Sequence, residues 1–159
     1  MKKAIIILCV MVSLSSSLAF AQNERTGTII GTLGVGIASR NTVEPEMLGS
    51  VIFDLSLIHK TGLTLCLTDV TTFSVAGTSR YLMPGVGYNY MRDKWNIGGT
   101  VLVAPMAGDI MIAGKINGGY FFSNNIGLTA ILMYSGVAGL MSYDFSMLNA
   151  FVGLSIRLF

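Results

Sequence analysis

Charge is scarce in this chain: only 11% of its 159 residues are Asp, Glu, Lys or Arg, against about 25% in a typical soluble domain. Ten basic and eight acidic residues leave no basic surface of the kind that nucleic acid requires, so nucleic acid is excluded as a partner. Histidine occurs once, at His59 in a short polar turn, so neither a His-based nucleophile nor a histidine metal cluster is expected. Cysteine occurs twice, as Cys9 and Cys66, and Cys9 lies in an apolar leader, so Cys66 has no partner for an internal disulfide. Long apolar runs are missing too. The best candidate for a spanning helix, Ile126 to Met141, is interrupted by Gly127, Gly136 and Gly139 and falls short of the roughly 20 residues a span needs. Yet 52% of the chain is hydrophobic and its mean hydropathy is +0.67. An apolar chain without apolar runs must spread its hydrophobic residues by alternation.

The first 21 residues are a separate matter. Lys2 and Lys3 form a basic start, Ala4 to Val12 an apolar core, and Ala19-Phe20-Ala21 a small-x-small cleavage site before Gln22. These are the parts of a secretory signal peptide. Residues 22–159 are then one exported domain. Removing Lys2 and Lys3 leaves eight basic residues against eight acidic ones, so the formal +2 belongs to the precursor.

Eight alternating segments follow: Thr28 to Ala38, Met47 to Ile58, Leu63 to about Val70, Tyr81 to Met91, Trp95 to Ala104, Ile110 to Phe122, Ile126 to Ser135, and a closing one from Asn149 to Phe159. A period of two means β-strand. In the closing segment Val152, Leu154, Ile156 and Leu158 share one face, and Gly153, Ser155 and Arg157 share the other. Short polar turns at His59 to Gly62, Arg92 to Lys94 and Ser123 to Asn125 alternate with longer connections: Ser39 to Glu46, Thr71 to Ser79, Pro105 to Asp109 and Gly136 to Ser142. Pro84 interrupts the fourth segment, because proline cannot donate to a ladder and a closed barrel has no edge for it. Either the strand starts after it or a bulge absorbs it.

Polarity separates a soluble barrel from a membrane one. The non-apolar phase here is mostly Gly, Ser, Thr and Asn instead of Lys and Glu, and the strand-interior charges Asp54, Lys115 and Arg157 all fall in it. On a lipid face such charges would cost roughly 2 to 4 kcal/mol at mid-depth. The expected fold is all-β: a closed eight-stranded antiparallel transmembrane β-barrel, apolar outside and polar inside. Tyr88, Tyr90, Trp95, Tyr120 and Phe122 flank two of the tight turns in the outward phase, as an interfacial girdle requires.

The closing segment resembles the last strand of bacterial outer-membrane β-barrels, in which a terminal Phe after an alternating run signals to the insertion machinery. Phe159 departs from that pattern by falling out of phase with Ile156 and Leu158. The resemblance implies the outer membrane of a diderm bacterium, N- and C-termini periplasmic, and lipid and the insertion machinery as partners. The three tight turns are then periplasmic and the four longer connections extracellular.

An eight-stranded barrel is filled by its own side chains, so a wide aqueous channel is excluded. The second and sixth strands face each other across it, which lets Asp54 and Lys115 approach, with Arg157 expected in the same interior network. Met47, Met83, Met106, Met111, Met133, Met141 and Met147 gather toward the expected extracellular end, and Leu48, Met83, Leu102, Met111 and Met133 fall in the inward phase. These five are the candidate ligand mouth, since thioethers adapt to varied apolar shapes. An apolar mouth over a polar, plugged lower half is similar to small barrels of the OmpW/OprG type, and the eight-strand size also fits an OmpX-like barrel. The former resemblance implies that hydrophobic molecules enter from outside and leave sideways through the wall, near Pro84. Binding or admission of a small hydrophobic ligand is thus the expected function, and a structural or interaction barrel the alternative. Catalytic residues, cofactor and metal are all expected to be absent.

Overall fold

In the computed structural model of this chain the described residues are 27–41, 46–105, 109–138 and 146–158. Residues 1–21, Met106, Met141 and Phe159 lie outside them, and with them the signal-peptide and terminal-Phe expectations. The described residues form eight strands: β1 Gly27–Asn41, β2 Glu46–His59, β3 Leu63–Ser74, β4 Gly77–Arg92, β5 Trp95–Pro105, β6 Ile110–Phe121, β7 Ile126–Ala138 and β8 Ser146–Leu158. Each pairs antiparallel with the next, and β8 returns to pair with β1, which closes the barrel.

Closure fixes a stagger. Stepping along paired residues from Ile58 leads through Thr64, Gly87, Thr100 and Lys115, then through Met133, Asn149 and Ala38, and arrives back on β2 at Leu48. The start and finish, 58 and 48, differ by ten residues along one strand. That shear tilts the strands and sets the width of the interior.

Alternation sorts the residues as expected. Leu33, Val35, Leu63, Ile97, Val152 and Leu154 stand exposed on the outer wall, while Thr32, Asp54, Thr68, Lys115, Asn149 and Ser155 are buried inside. The aromatic residues Tyr88, Tyr90, Trp95, Tyr120 and Phe122 are all outward and exposed. Trp95 and Tyr120 face each other across the β5–β6 ladder with ring centroids 4.7 Å apart.

Two turns need backbone that side chains resist. Gly62 has φ 91°, and a Cβ there would meet the Tyr88 ring at 2.4 Å. Asp93 has φ 48° in the β4–β5 turn, a left-handed position that Asp tolerates better than most residues.

The strands run further than the alternating cores. The expected loop from Thr71 to Ser79 is a tight hairpin: Ser74 pairs with Gly77, and only Val75 and Ala76 turn. The reason is local, for Thr72 stays buried and Phe73 exposed, so alternation continues to the turn. Likewise β1 continues through Asn41, and β7 through Ala138.

Pro84 is the informative departure. No bulge absorbs it and β4 does not begin after it. Pro84 pairs in register with Leu67 of β3, but on its other side the ladder to β5 starts only at Gly85 opposite Leu102. Residues 77–84 of β4 and 103–105 of β5 therefore have no partners in that ladder. The seam supplies inside a closed barrel the edge that proline needs.

Candidate functional site

The interior is layered. At the end where β1 begins and β8 ends, Ile30, Ile58 and Phe121 form a buried apolar floor with Met91 packed against it. Arg157 closes that end: its guanidinium lies 4.0 Å over the Phe121 ring, and its Nη1 donates to the Asp93 carbonyl oxygen at 3.2 Å. This corrects the expectation that Arg157 joins Asp54 and Lys115. Arg157 lies two residues beyond Ser155, whose hydroxyl shares hydrogen bonds with Thr32 and Thr129, and from there its side chain reaches the floor.

Above the floor lies a polar belt. Asn117 donates to Asn89, which donates to Thr64, whose hydroxyl donates to the Gly62 carbonyl. A cavity of about 10 Å³ sits among Thr32, Asp54, Ser56, Asn89 and Asn117, roughly the room one water needs.

Asp54 and Lys115 meet at the top of this belt. The Lys115 ammonium is 2.5 Å from Asp54 Oδ1, and the two side chains are 1% and 8% exposed. Thr68 donates to the same oxygen at 2.5 Å and accepts from Lys115 at 3.3 Å, while Ser56 donates to Oδ2 at 3.0 Å. Both carboxylate oxygens are thus satisfied. A buried pair with this many hydrogen bonds offsets its desolvation, whereas either charge alone would not.

The far half of the interior is apolar. Met83, Leu102, Met111 and Met133 belong to one buried cluster together with Ile52, Cys66, Val70, Ile131 and Phe151. Leu48 belongs to a second, with Ala38 and Met147, and Tyr81 packs against both. Four of the five candidate mouth residues thus share one cluster. They are at most 4% exposed, as is Leu48, so they fill the interior instead of lining an open entrance.

The unpaired ends of β4 and β5 flank this apolar filling. Met83 and Ala104 face inward and are buried, while Leu82 and Val103 face outward and are exposed. Above Leu82 on the outer wall, Arg80 makes a bidentate pair with Asp69, donating from Nε and Nη2. A charged pair on an otherwise apolar wall is tolerated near a membrane boundary and is costly at mid-depth.

Sequence reasoning missed Phe121, Ile131, Phe151, Asn149 and the Asp69–Arg80 pair. For the first four the signal was strict alternation from neighbours already placed outward. His59, in the β2–β3 turn, is exposed, with Nδ1 2.9 Å from the Thr61 hydroxyl. Among the described residues no group of three or more His, Cys, Asp or Glu is placed to hold a metal ion.

An apolar outer wall, a hydrogen-bonded polar belt and an aromatic ring at one rim define the class: a β-barrel that spans a membrane. Comparison with solved structures agrees. Neisserial surface protein A superposes with a TM-score of 0.65 at 9% identity, over 83% of this chain and 99% of that one. Ail, the attachment invasion locus protein of Yersinia pestis, gives 0.63 at 10% identity, over 84% and 99%. A barrel from the de novo design of transmembrane β-barrels gives 0.59 at 13%, over 84% and 97%. No sequence-family model matches the chain, and no curated protein matches its sequence. The chain has the fold of the small eight-stranded outer-membrane barrels.

Proposed function

We propose that this barrel binds or admits small hydrophobic molecules through its methionine-lined half and releases them sideways through the β4–β5 seam. The observation that carries the reading is the seam. The ladder between β4 and β5 is missing at residues 77–84 and 103–105, and the unpaired stretch lies against the buried apolar cluster containing Met83 and Leu102. A small apolar molecule held there reaches the lipid face without crossing the Asp54–Lys115 belt. Methionine side chains supply the adaptability, since an unbranched thioether changes rotamer at little cost.

In this reading the termini and the tight turns are periplasmic, Trp95 and its aromatic neighbours sit at the inner interface, and the methionine half faces outward. The barrel works without catalysis, cofactor or metal. It reaches the outer membrane by way of its signal peptide and the insertion machinery, and lipid surrounds it there.

Filling the apolar half tests the proposal. Met111→Trp and Met133→Trp, each in folded barrel, should abolish protein-dependent uptake of a radiolabelled small hydrocarbon by diderm cells. Unchanged uptake rejects this route. A purely structural barrel remains the second reading, favoured by the closed packing of the five mouth residues. It predicts that deleting the protein alters envelope integrity and leaves hydrocarbon entry unchanged.

A further inference from the structure

Asn149 is the anomaly of the apolar half. It is 0% exposed, and neither its Oδ1 nor its Nδ2 has a hydrogen-bond partner. Its directly paired and same-face strand neighbours are apolar: Met133 and Ala38 across the two ladders, Met147 and Phe151 along its own strand. Two other buried polar side chains at this end are partnered, Ser50 with Thr72 and Ser135 with the Met147 carbonyl. Buried amides are normally satisfied, and one left without partners is costly to the fold. The position calls for a group that supplies one donor and one acceptor together.

We infer that Asn149 recognises the polar end of the molecule the apolar half takes up, and that this ligand is a small apolar body carrying a primary amide or an undissociated carboxylic acid. The inference rests on the proposed hydrophobic uptake and narrows its substrate class. The chemistry is complementary: Asn149 Nδ2 donates to the ligand carbonyl, and Asn149 Oδ1 accepts from the ligand N–H or O–H. The flanking Met133 and Met147 enclose the hydrocarbon part. Asn149 lies in the same paired row as Lys115, two strands away with Met133 between them. A neutral head group thus fits beside the barrel's buried charge without adding another. A plain hydrocarbon would leave the amide unpaired, and a site built to hydrogen-bond discriminates against ligands lacking the group.

The test uses the mature barrel folded in detergent, labelled at methionine methyl groups and at side-chain amides, and titrated by NMR with octanamide or with decane, which has the same number of heavy atoms. Methionine shifts report occupancy and the Asn149 amide reports recognition. Octanamide is expected to bind about tenfold or more tightly than decane and to shift the Asn149 amide. Asn149→Leu is expected to fold, because it removes an unpaired polar group, and to bind both probes with the affinity for decane. Equal binding of the two probes by the unaltered barrel, with methionine shifts present, overturns the Asn149 assignment and leaves hydrophobic uptake standing. No methionine shift with either probe overturns both. The two-probe comparison in the unaltered chain decides the matter even if the variant does not fold.

Discussion

Lys115 on β6 reaches across the barrel to Asp54 on β2, with 2.5 Å between Nζ and Oδ1. The two strands lie half-way round the wall from each other, so this contact ties opposite sides of the barrel together.

Breaking that tie from one side should be costly. Lys115→Met leaves the Asp54 carboxylate buried with only hydroxyl donors, and Asp54→Leu leaves a buried ammonium. Each is expected to destabilise the barrel by about 3 to 5 kcal/mol, read from urea unfolding in lipid vesicles. The double replacement should recover most of the loss, because no uncompensated charge remains. A double variant as unstable as the sum of the singles would show that the two charges do not act as a pair.

The strand glycines divide into an inward and an outward set, Gly36 and Gly87 in phase with buried Ala38 and Asn89, Gly114 and Gly118 in phase with exposed Ile112 and Ile116. A Cβ on Gly36 would lie 2.0 Å from the Ala150 carbonyl oxygen, and one on Gly87 would lie 2.1 Å from that of Gly99, whereas Gly114 and Gly118 face open space. Gly36→Ala and Gly87→Ala should each lose about 1 to 3 kcal/mol through backbone displacement. Gly114→Ala and Gly118→Ala should match or exceed the original stability, since alanine restricts the unfolded chain more than glycine does. Equal effects in both sets would contradict the assignment of inner and outer faces.

Trp95 is the sole tryptophan, stands exposed and packs at a tilt against Tyr120. In vesicles made with brominated lipids its fluorescence should be quenched most by bromines near the head groups and least by those at the acyl-chain ends. Strongest quenching at the chain ends would place this rim in mid-bilayer and remove the girdle.

How much of this was legible beforehand follows from what alternation can and cannot carry. A period of two is a local property, so the eight strands and their inner and outer faces were readable from pairs such as Leu154 and Ser155. The opposition of β2 and β6 follows from counting strands, so the approach of Asp54 and Lys115 was readable as well. Depth was not. The separation of Arg157 from that pair depends on the ten-residue shear, which no single strand encodes, and its place over Phe121 emerges only once the ladders are closed. Pro84 announced a disturbance, yet which neighbour it would release was undetermined, because β3 and β5 are equally close in sequence terms. The five mouth residues were assigned to the correct face, but whether they line an opening or fill it depends on packing from all eight strands.

The proposed exit for hydrophobic molecules lies where the β4–β5 ladder ends, at Pro84. Pro84→Val restores a backbone donor and allows the β4–β5 ladder to extend past Gly85. The most direct measurement is protein-dependent uptake of a radiolabelled small hydrocarbon in cells bearing this variant, alongside amide hydrogen exchange at Leu82, Met83, Val103 and Ala104. Slower exchange along the seam, with uptake reduced to the level of cells lacking the protein, is the expected result. Slowed exchange with undiminished uptake would contradict the proposed exit.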